Sequence, residues 1–515
     1  MYLRCIFFIG LLFLTAGHAA APRIAEPWRA PDARALLDGA LEFAEPLWDE
    51  QAGFLWAATR ASWAYSSAAP ERRHSVRESG WYALALLMRG EPADNARAVR
   101  ILSGVLEEQA IAPGQPWDGT FFRNPEEPHP PTGASRWDDY DPNWRQFMGT
   151  ILALSLIHFE DRLPAGMPAR IERALAAAIE GEQTEHRLTP GYTNIALMHA
   201  FLWAYTGERL KRPEWVGQAE AWAEEICAGF ARYGTFEEYN SPTYYGVDLF
   251  GLALWRRHGP TARLRTLGAE MEAALWRDVA AFYHPGLRNV AGPYDRAYGM
   301  DLTRYASLLG PWIALAVPPE RAPLPVPDSR MEQAHDYLGI PLIVILGAEI
   351  PDDARARLRE FEGEHQVTRQ ITPWRTATAW LGENLMLGAE DTSRQRAAGT
   401  PHNQFHPATL HWRLPDGRVG WVLLQKASRL NARASANRLE IEAIGNATFR
   451  VCAPGATLAA LTQNRWSLPA LTVEIETDAR GFTVRAEGDY LEVTYAEATR
   501  FVLHTTYQAE LPAAR

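Results

Sequence analysis

Cysteine is almost missing from this chain, with three in 515 residues. Cys5 falls in an N-terminal apolar run, and Cys227 and Cys452 lie far apart. A scaffold stapled by disulfides is therefore excluded, and two buried free thiols are expected. Dense runs of lysine and arginine are also lacking, and the formal net charge is -11, which argues against nonspecific binding of nucleic acid. After the first residues no apolar run is long enough to cross a bilayer, so no membrane span is expected in the mature chain. A strict short-period repeat is absent as well, which argues against a solenoid.

What is present is an ordinary globular balance, 47% hydrophobic and 22% charged, with length for two or three domains. The chain opens with one arginine and then an apolar run to Leu14, followed by mostly small residues up to Ala21. That pattern predicts a signal peptide over residues 1–20, cut near Ala19–Ala21, and a secreted or periplasmic protein. A retained anchor is the alternative, and the run is short for one. The 19 tryptophans and 18 tyrosines serve first as core, and become functional where they cluster with polar residues in loops.

From residue 21 to 362 the periodicity is helical. Helices are expected at about 143–160, 166–181, 191–206, 213–231, 242–257 and 262–282, with others before them and at about 300–317, 328–346 and 352–361. Very apolar helices alternate with amphipathic ones, as a two-layer ring requires: inner helices buried, outer helices half in water. The expectation is an (α/α) toroid, an incomplete barrel of five to seven hairpins. A long loop from Ile111 to Pro142 carries Trp117, Arg123 and the acidic segment Trp137-Asp138-Asp139-Tyr140-Asp141, content that argues for function rather than disorder. From residue 363 to 515 the chain alternates apolar and polar with frequent turn signals, which predicts an antiparallel β-sandwich of ten or more strands.

One stretch stands out. Residues 234–248 hold three carboxylates, three tyrosines and an Asn240-Ser241-Pro242 helix start. Serine before proline reads as N-cap and first helical residue. Thr243, Tyr244 and Tyr245 then fall in the first turn, where the helix dipole favours a nearby anion.

The toroid-then-sandwich order, with Glu238-Tyr239-Asn240-Ser241-Pro242-Thr243-Tyr244, resembles the heparinase II/III-like (α/α)-toroid polysaccharide lyases. Their motif, Glu-Gln-Ser-Pro-x-Tyr, is matched here with one extra residue before the serine, and its catalytic tyrosine falls on Tyr244. Asn194, in Tyr192-Thr193-Asn194-Ile195, falls on an asparagine these families place on an inner helix. The histidine that often follows it is replaced by Ile195. Arg296, in Pro293-Tyr294-Asp295-Arg296-Ala297-Tyr298, fits an arginine of some toroid lyases.

The resemblance implies β-elimination on a uronic-acid polysaccharide. The carboxylate beside C5 must be neutralised as the enolate forms, by the logic of an oxyanion hole. A base takes the C5 proton and an acid protonates the leaving O4. The implied roles are Tyr244 as base, acid or both, and Asn194 and Arg296 as neutralising donors, with His402 or His406 reaching over from the sandwich. A tyrosine base needs its pKa lowered from about 10, which an arginine or a helix N-terminus would do. Glu238, Tyr239, Tyr298, Asn143, Trp144, Arg145, Arg77 and Trp137 are the candidate substrate contacts, Glu238 being also the expected partner of Arg296. The partner is an acidic polysaccharide or oligosaccharide, and the chemistry asks for no cofactor. A structural metal on His402, His406 and His411 is an alternative for the sandwich. Two rival readings remain: an (α/α)-barrel glycoside hydrolase using Glu238 with Asp295 or Asp139, Asp141 being a further candidate, and a noncatalytic glycan-binding protein.

Overall fold

The structure is a computed structural model that describes residues 26–58, 72–328, 331–399 and 404–508. The expected signal peptide and His402 lie outside the described residues. The first half is helical: α1 (Pro31–Ala44), α2 (Val76–Arg89), α3 (Asp94–Glu107), α4 (Trp144–Phe159), α5 (Met167–Glu185), α6 (Thr193–Arg209), α7 (Pro213–Tyr233), α8 (Tyr244–His258), α9 (Ala262–Phe282), and the shorter α10 (Leu309–Ala314), α11 (Ala334–Tyr337), α12 (Ile340–Leu346) and α13 (Asp352–Arg359). Short strands β1 (Trp48–Asp49), β2 (Phe54–Trp56) and β3 (His74–Ser75) form a small sheet near the start, and β4 (Tyr283–His284) pairs with β5 (Asn289–Val290) after α9.

The helices form a ring of two layers. α2, α4, α6 and α8 pack side by side, and α12 closes the circuit between α8 and α2. α3, α5, α7 and α9 each lie outside the inner helix that precedes them. The residue pattern explains the layers. α4, α6 and α8 are buried almost all round, whereas α5, α7 and α9 bury one stripe and leave charged residues in water. Four full hairpins are present among the described residues, fewer than the five to seven expected. The helix expected at 300–317 shrinks to the six residues of α10, since proline stands at 311 and 318. Gly246 lets α8 approach this segment closely, for a Cβ there would collide with the backbone of Leu308.

The second half is β6 (His365–Thr372), β7 (Arg375–Leu381), β8 (Leu385–Asp391), β9 (Ala408–Arg413), β10 (Val419–Ser435), β11 (Arg438–Cys452), β12 (Arg465–Leu468), β13 (Leu471–Thr477), β14 (Gly481–Glu487) and β15 (Tyr490–Tyr507). These ten strands form one hydrogen-bonded antiparallel sheet, in the order β12-β13-β15-β11-β10-β9-β8-β7-β6, with β14 on β15. The expected antiparallel β domain is present, its ten strands hydrogen-bonded into one bent sheet. Its long strands β10, β11 and β15 carry bulges at mid-length, which bend them, and a second core, with Trp412, Phe449, Trp466 and Phe501, fills its concave side.

The two halves share one apolar core, into which β6, β7, β8 and β10 send Ile371, Ala377, Leu381, Met386 and Leu423, and they are also joined along a backbone strip. The segment after β5 pairs with the loop before β9: Tyr294 and His406 exchange backbone hydrogen bonds, and Ala297 N–H donates to Gln404 O at 3.0 Å. Gly388 on β8 permits this contact, because a Cβ there would strike the backbone of Gly292. Below the strip, Arg375 reaches Asp295 at 2.6 Å and Glu390 at 2.7 Å, and Arg396 also reaches Asp295 at 2.6 Å.

Candidate functional site

The start of α8 forms as the serine–proline pair requires. Ser241 Oγ accepts from the backbone N–H of Tyr244 at 3.1 Å, and its hydroxyl donates to the carbonyl of Arg296. One side chain therefore caps the helix and ties down the segment that carries Arg296. Asn240, in left-handed backbone at φ 48, donates to the carbonyls of Ala291 and Pro293. The fifteen-residue stretch and the 291–298 segment are fastened together before any substrate arrives.

On that frame Glu238 gathers the site. It is buried beside the first turn of α6. Asn194 donates to Oε2 at 2.5 Å, Thr193 to the same oxygen at 3.2 Å, and Arg296 to Oε1 at 2.9 Å. Burial pushes the Glu238 carboxyl above the usual range, and Arg296 and Asn194 pull it back. Arg296 also donates from Nε to Gln404 Oε1 at 3.2 Å. Its guanidinium lies 4.0 Å from the centre of the Tyr244 ring, within cation–π range. Burial works against the Arg296 charge, but Tyr244 and Glu238 outweigh it and hold the group protonated. Tyr244 Oη is 2.7 Å from Tyr298 Oη.

Tyr244 keeps a partly exposed edge. Its phenol is nevertheless pushed well above its ordinary value, chiefly by burial and then by Tyr298, with Arg296 opposing. The helix N-terminus and the arginine do not lower it as expected. Desolvation of a phenolate in this crowded corner wins, so Tyr244 is a neutral phenol in the free protein.

Asn194, Glu238, Arg296, Tyr244 and Tyr298 are therefore one connected cluster. Next to it Asn143 donates to Tyr192 Oη at 2.9 Å. The Tyr192 phenol is raised by burial, and the field of Glu238 adds to the rise. Arg187 lies 5.9 Å from both the Tyr192 and Trp137 rings, and Trp137 is 47% exposed.

Other expected contacts lie elsewhere. Arg145 is fully enclosed; it pairs with Glu185 at 2.7 Å and Glu182 at 3.3 Å and donates to the carbonyls of Pro116 and Asp118. No face of it is left for a sugar. Trp144 and Trp117 are buried in cores. Arg77 is buried, pairs with Glu78 at 2.8 Å, and lies over the rings of Trp81, Phe147 and Trp144. Tyr239 is fully buried with its ring edge-on to Phe282. His406 sits behind the site, with Nε2 3.2 Å from the carbonyl of Ala297, and burial lowers its pKa to about 4. His411 Nε2 binds the carbonyl of Met300 at 2.8 Å. The two imidazoles thus serve separate backbone carbonyls, and among the described residues no His, Cys, Asp and Glu cluster suits a metal ion. Asp295 is clamped by Arg375 and Arg396 and lies close enough to Glu238 for its field to raise that carboxyl, and Asp139 accepts the backbone N–H of Ser135.

Gln404, Thr193 and Tyr192 join the site without having been assigned a role there, beside the expected Ser241. Gln404 stands 108 residues from Arg296, a pairing that only the fold supplies. Thr193 and Tyr192 flank Asn194, and their neighbourhood was the available signal. Asp248, one turn along α8 from Tyr244, is fully buried, with the Thr193 hydroxyl as its side-chain hydrogen-bond neighbour. Burial pushes its pKa well above the carboxylate range, with Glu238 adding to the rise, so it is a neutral carboxyl.

A helical ring joined to a ten-stranded antiparallel sheet, with a tyrosine–arginine–carboxylate cluster at the seam, defines the class of protein. The chain belongs to the family described as Domain of unknown function (DUF8769), whose model matches residues 34–348, and residues 363–497 match Domain of unknown function (DUF8770). No curated protein matches the chain. Among solved structures it is similar to heparinase III, at 10% identity and a TM-score of 0.42, over 96% of this chain and 86% of that one. It is also similar to the chondroitin AC lyase of Streptomyces coelicolor A3, solved in complex with chondroitin sulphate, at 13% identity and a TM-score of 0.44, over 95% and 81% of the two chains. A xanthan lyase from Paenibacillus gives 9% identity and a TM-score of 0.33, over 94% and 71%. At these scores the likeness assigns neither an activity nor a residue role.

Proposed function

We propose that this chain is an exported polysaccharide lyase that cleaves a uronic-acid-containing glycan by β-elimination. The observation that carries the reading is the pairing of the Tyr244 and Tyr298 hydroxyls at 2.7 Å beneath the Arg296 guanidinium. Two phenols and a fixed cation at a half-open seam suit a reaction that removes one proton, donates another and builds negative charge between them.

The uronate carboxylate sits against Arg296. Glu238, itself held by the buried Asn194, already aims that guanidinium, so little ordering is left for the moment of reaction. As the C5 proton leaves, charge flows into the carboxylate and the donors follow it. Tyr244 reacts as the phenolate, its own proton having first passed to solvent. The phenolate takes the C5 proton, and the phenol so formed gives that proton to O4 as the C4–O4 bond breaks, which restores the phenolate. The Tyr298 hydroxyl and the Arg296 charge favour the phenolate against the burial that keeps Tyr244 neutral at rest. Ile195, which replaces the expected histidine, places more of the proton transfer on the two tyrosines. Trp137 and Tyr192 flank the entry, where a sugar ring can stack on the exposed indole.

The test is direct. The mature chain is incubated with a panel of uronate polymers, and the formation of 4,5-unsaturated uronate ends is followed in the ultraviolet. A new absorbance with at least one polymer supports the proposal. Hydrolytic reducing ends without that absorbance would overturn it.

A further inference from the structure

A second site lies in the sheet, away from the tyrosines. Three neighbouring strands are irregular at the same level. On β10, Arg429 and Leu430 stand opposite the single Ala443 of β11, between the pairs Ser428↔Ile444 and Asn431↔Glu442. On β11, Ala443 and Ile444 stand opposite the single Thr499 of β15, between Glu442↔Arg500 and Gly445↔Ala498. Bulges bend strands and re-aim side chains. Here the aligned bulges open a recess of about 380 Å³, lined by Arg394, Arg429, Glu442, Ile444, Thr499 and Arg500.

Its charge is local and positive on a chain whose net charge is -11. Arg394 is half-engaged by Glu442 at 2.6 Å. Asp478, the nearby carboxylate, is already taken by the amides of Thr499 and Arg500 and by the Thr499 hydroxyl. No described carboxylate pairs with Arg429 or Arg500. Curvature alone does not call for this. Arg394 and Arg429 occupy left-handed backbone, at φ 59 and 46, where glycine or asparagine would serve the bend with less strain. Arg394 and Arg429 in left-handed backbone, with Arg500 beside them, present exposed guanidiniums around one recess, a placement to be explained by what they bind. Ile444, half-exposed in the same recess, offers an apolar floor.

We infer that this recess is an anion-binding subsite for an acidic glycan, taking the carboxylate or sulfate group of a sugar on Arg394, Arg429 and Arg500 and its apolar face on Ile444. The identity of the ligand rests on the proposed lyase reading; the existence of the site does not. Guanidinium–carboxylate and guanidinium–sulfate pairs are strong enough that losing two of them weakens binding at least about tenfold.

The experiment uses the full mature chain carrying Tyr244→Phe, with and without R429G/R500Q. Gly at 429 suits the backbone, and Gln at 500 keeps the side-chain length. Dissociation constants are measured by calorimetry for hyaluronan, which bears only carboxylates, and for dextran sulfate, which bears only sulfates, with neutral dextran as control. R429G/R500Q is expected to weaken binding of a charged polymer at least about tenfold and to leave the melting temperature in place. Loss confined to hyaluronan assigns the recess to uronate carboxylates, and loss confined to dextran sulfate assigns it to sulfate esters. Loss of both supports a general anion subsite. Unchanged constants for both polymers overturn the proposal. If no polymer yields unsaturated ends, the lyase reading fails, while these binding constants still decide the recess.

Discussion

At the scale of single residues, Tyr244 and Glu238 divide the work. Tyr244→Phe removes the hydroxyl and leaves the ring under Arg296. The rate of formation of unsaturated ends should fall about 10²–10⁴-fold, the range for a lost acid–base group, with little change in KM. Glu238→Gln keeps the shape but removes the anion that aims Arg296. The free cation should still attract the uronate, so KM stays level or drops while kcat falls about 10²-fold. Steady-state kinetics on one polymer separate the two outcomes. A Glu238→Gln enzyme with raised KM and normal kcat would make Glu238 a plain substrate contact. Sequence reasoning reached Tyr244 because a Ser–Pro helix start has a local signature. It misplaced Arg145 and Trp144, whose surroundings are set by Glu182, Glu185 and the core some forty residues on.

At the scale of elements, the start of α8 links helix formation to the site. Ser241 caps through the Tyr244 amide and holds the Arg296 carbonyl. Ser241→Ala should cost about 1 kcal/mol in denaturant unfolding, the usual value of a cap, and should slow turnover as well, because Tyr244 and Arg296 lose a shared anchor. A stability loss with unchanged kinetics would reduce Ser241 to a cap alone. The alternation of apolar and amphipathic helices was legible as a ring, since burial on all sides writes itself into composition. The helix expected at about 328–346 is found in two pieces, α11 and the seven residues of α12, and that α12 closes the ring between α8 and α2 is supplied by the fold. The loop before β9 was not legible as a wall of the site. Gln404 carries no signal until the Tyr294–His406 pairing brings its loop to Arg296.

At the scale of the whole molecule, Arg375 is the bolt between the halves. It spans Asp295 and Glu390 and donates to the carbonyl of Glu237 at 3.0 Å. Arg375→Met should strand buried carboxylates and cost about 3–5 kcal/mol, read as a lower urea midpoint. An unchanged midpoint would show that the remaining contacts of the seam hold it without Arg375. Buried imidazoles add a pH dependence. His411 is fully buried, and burial lowers its pKa from 6.5 to about 4. Its folded pKa lies below the unfolded one, so its contribution is complete above pH 6.5 and is lost as pH falls towards 4. In paired urea titrations, the stability gap between wild type and His411→Gln should therefore narrow by about 1.4 kcal/mol per pH unit in that window. A gap independent of pH would mean that His411 titrates alike in both states.

The central claim is that the seam of ring and sheet houses a tyrosine-driven elimination. The most direct measurement is the ultraviolet absorbance of 4,5-unsaturated uronate produced from a uronate polymer, by wild type and by Tyr244→Phe side by side. The account predicts a rising signal for wild type and a rate lower by about 10²-fold or more for the variant. A Tyr244→Phe enzyme that forms the unsaturated product at the wild-type rate would contradict it.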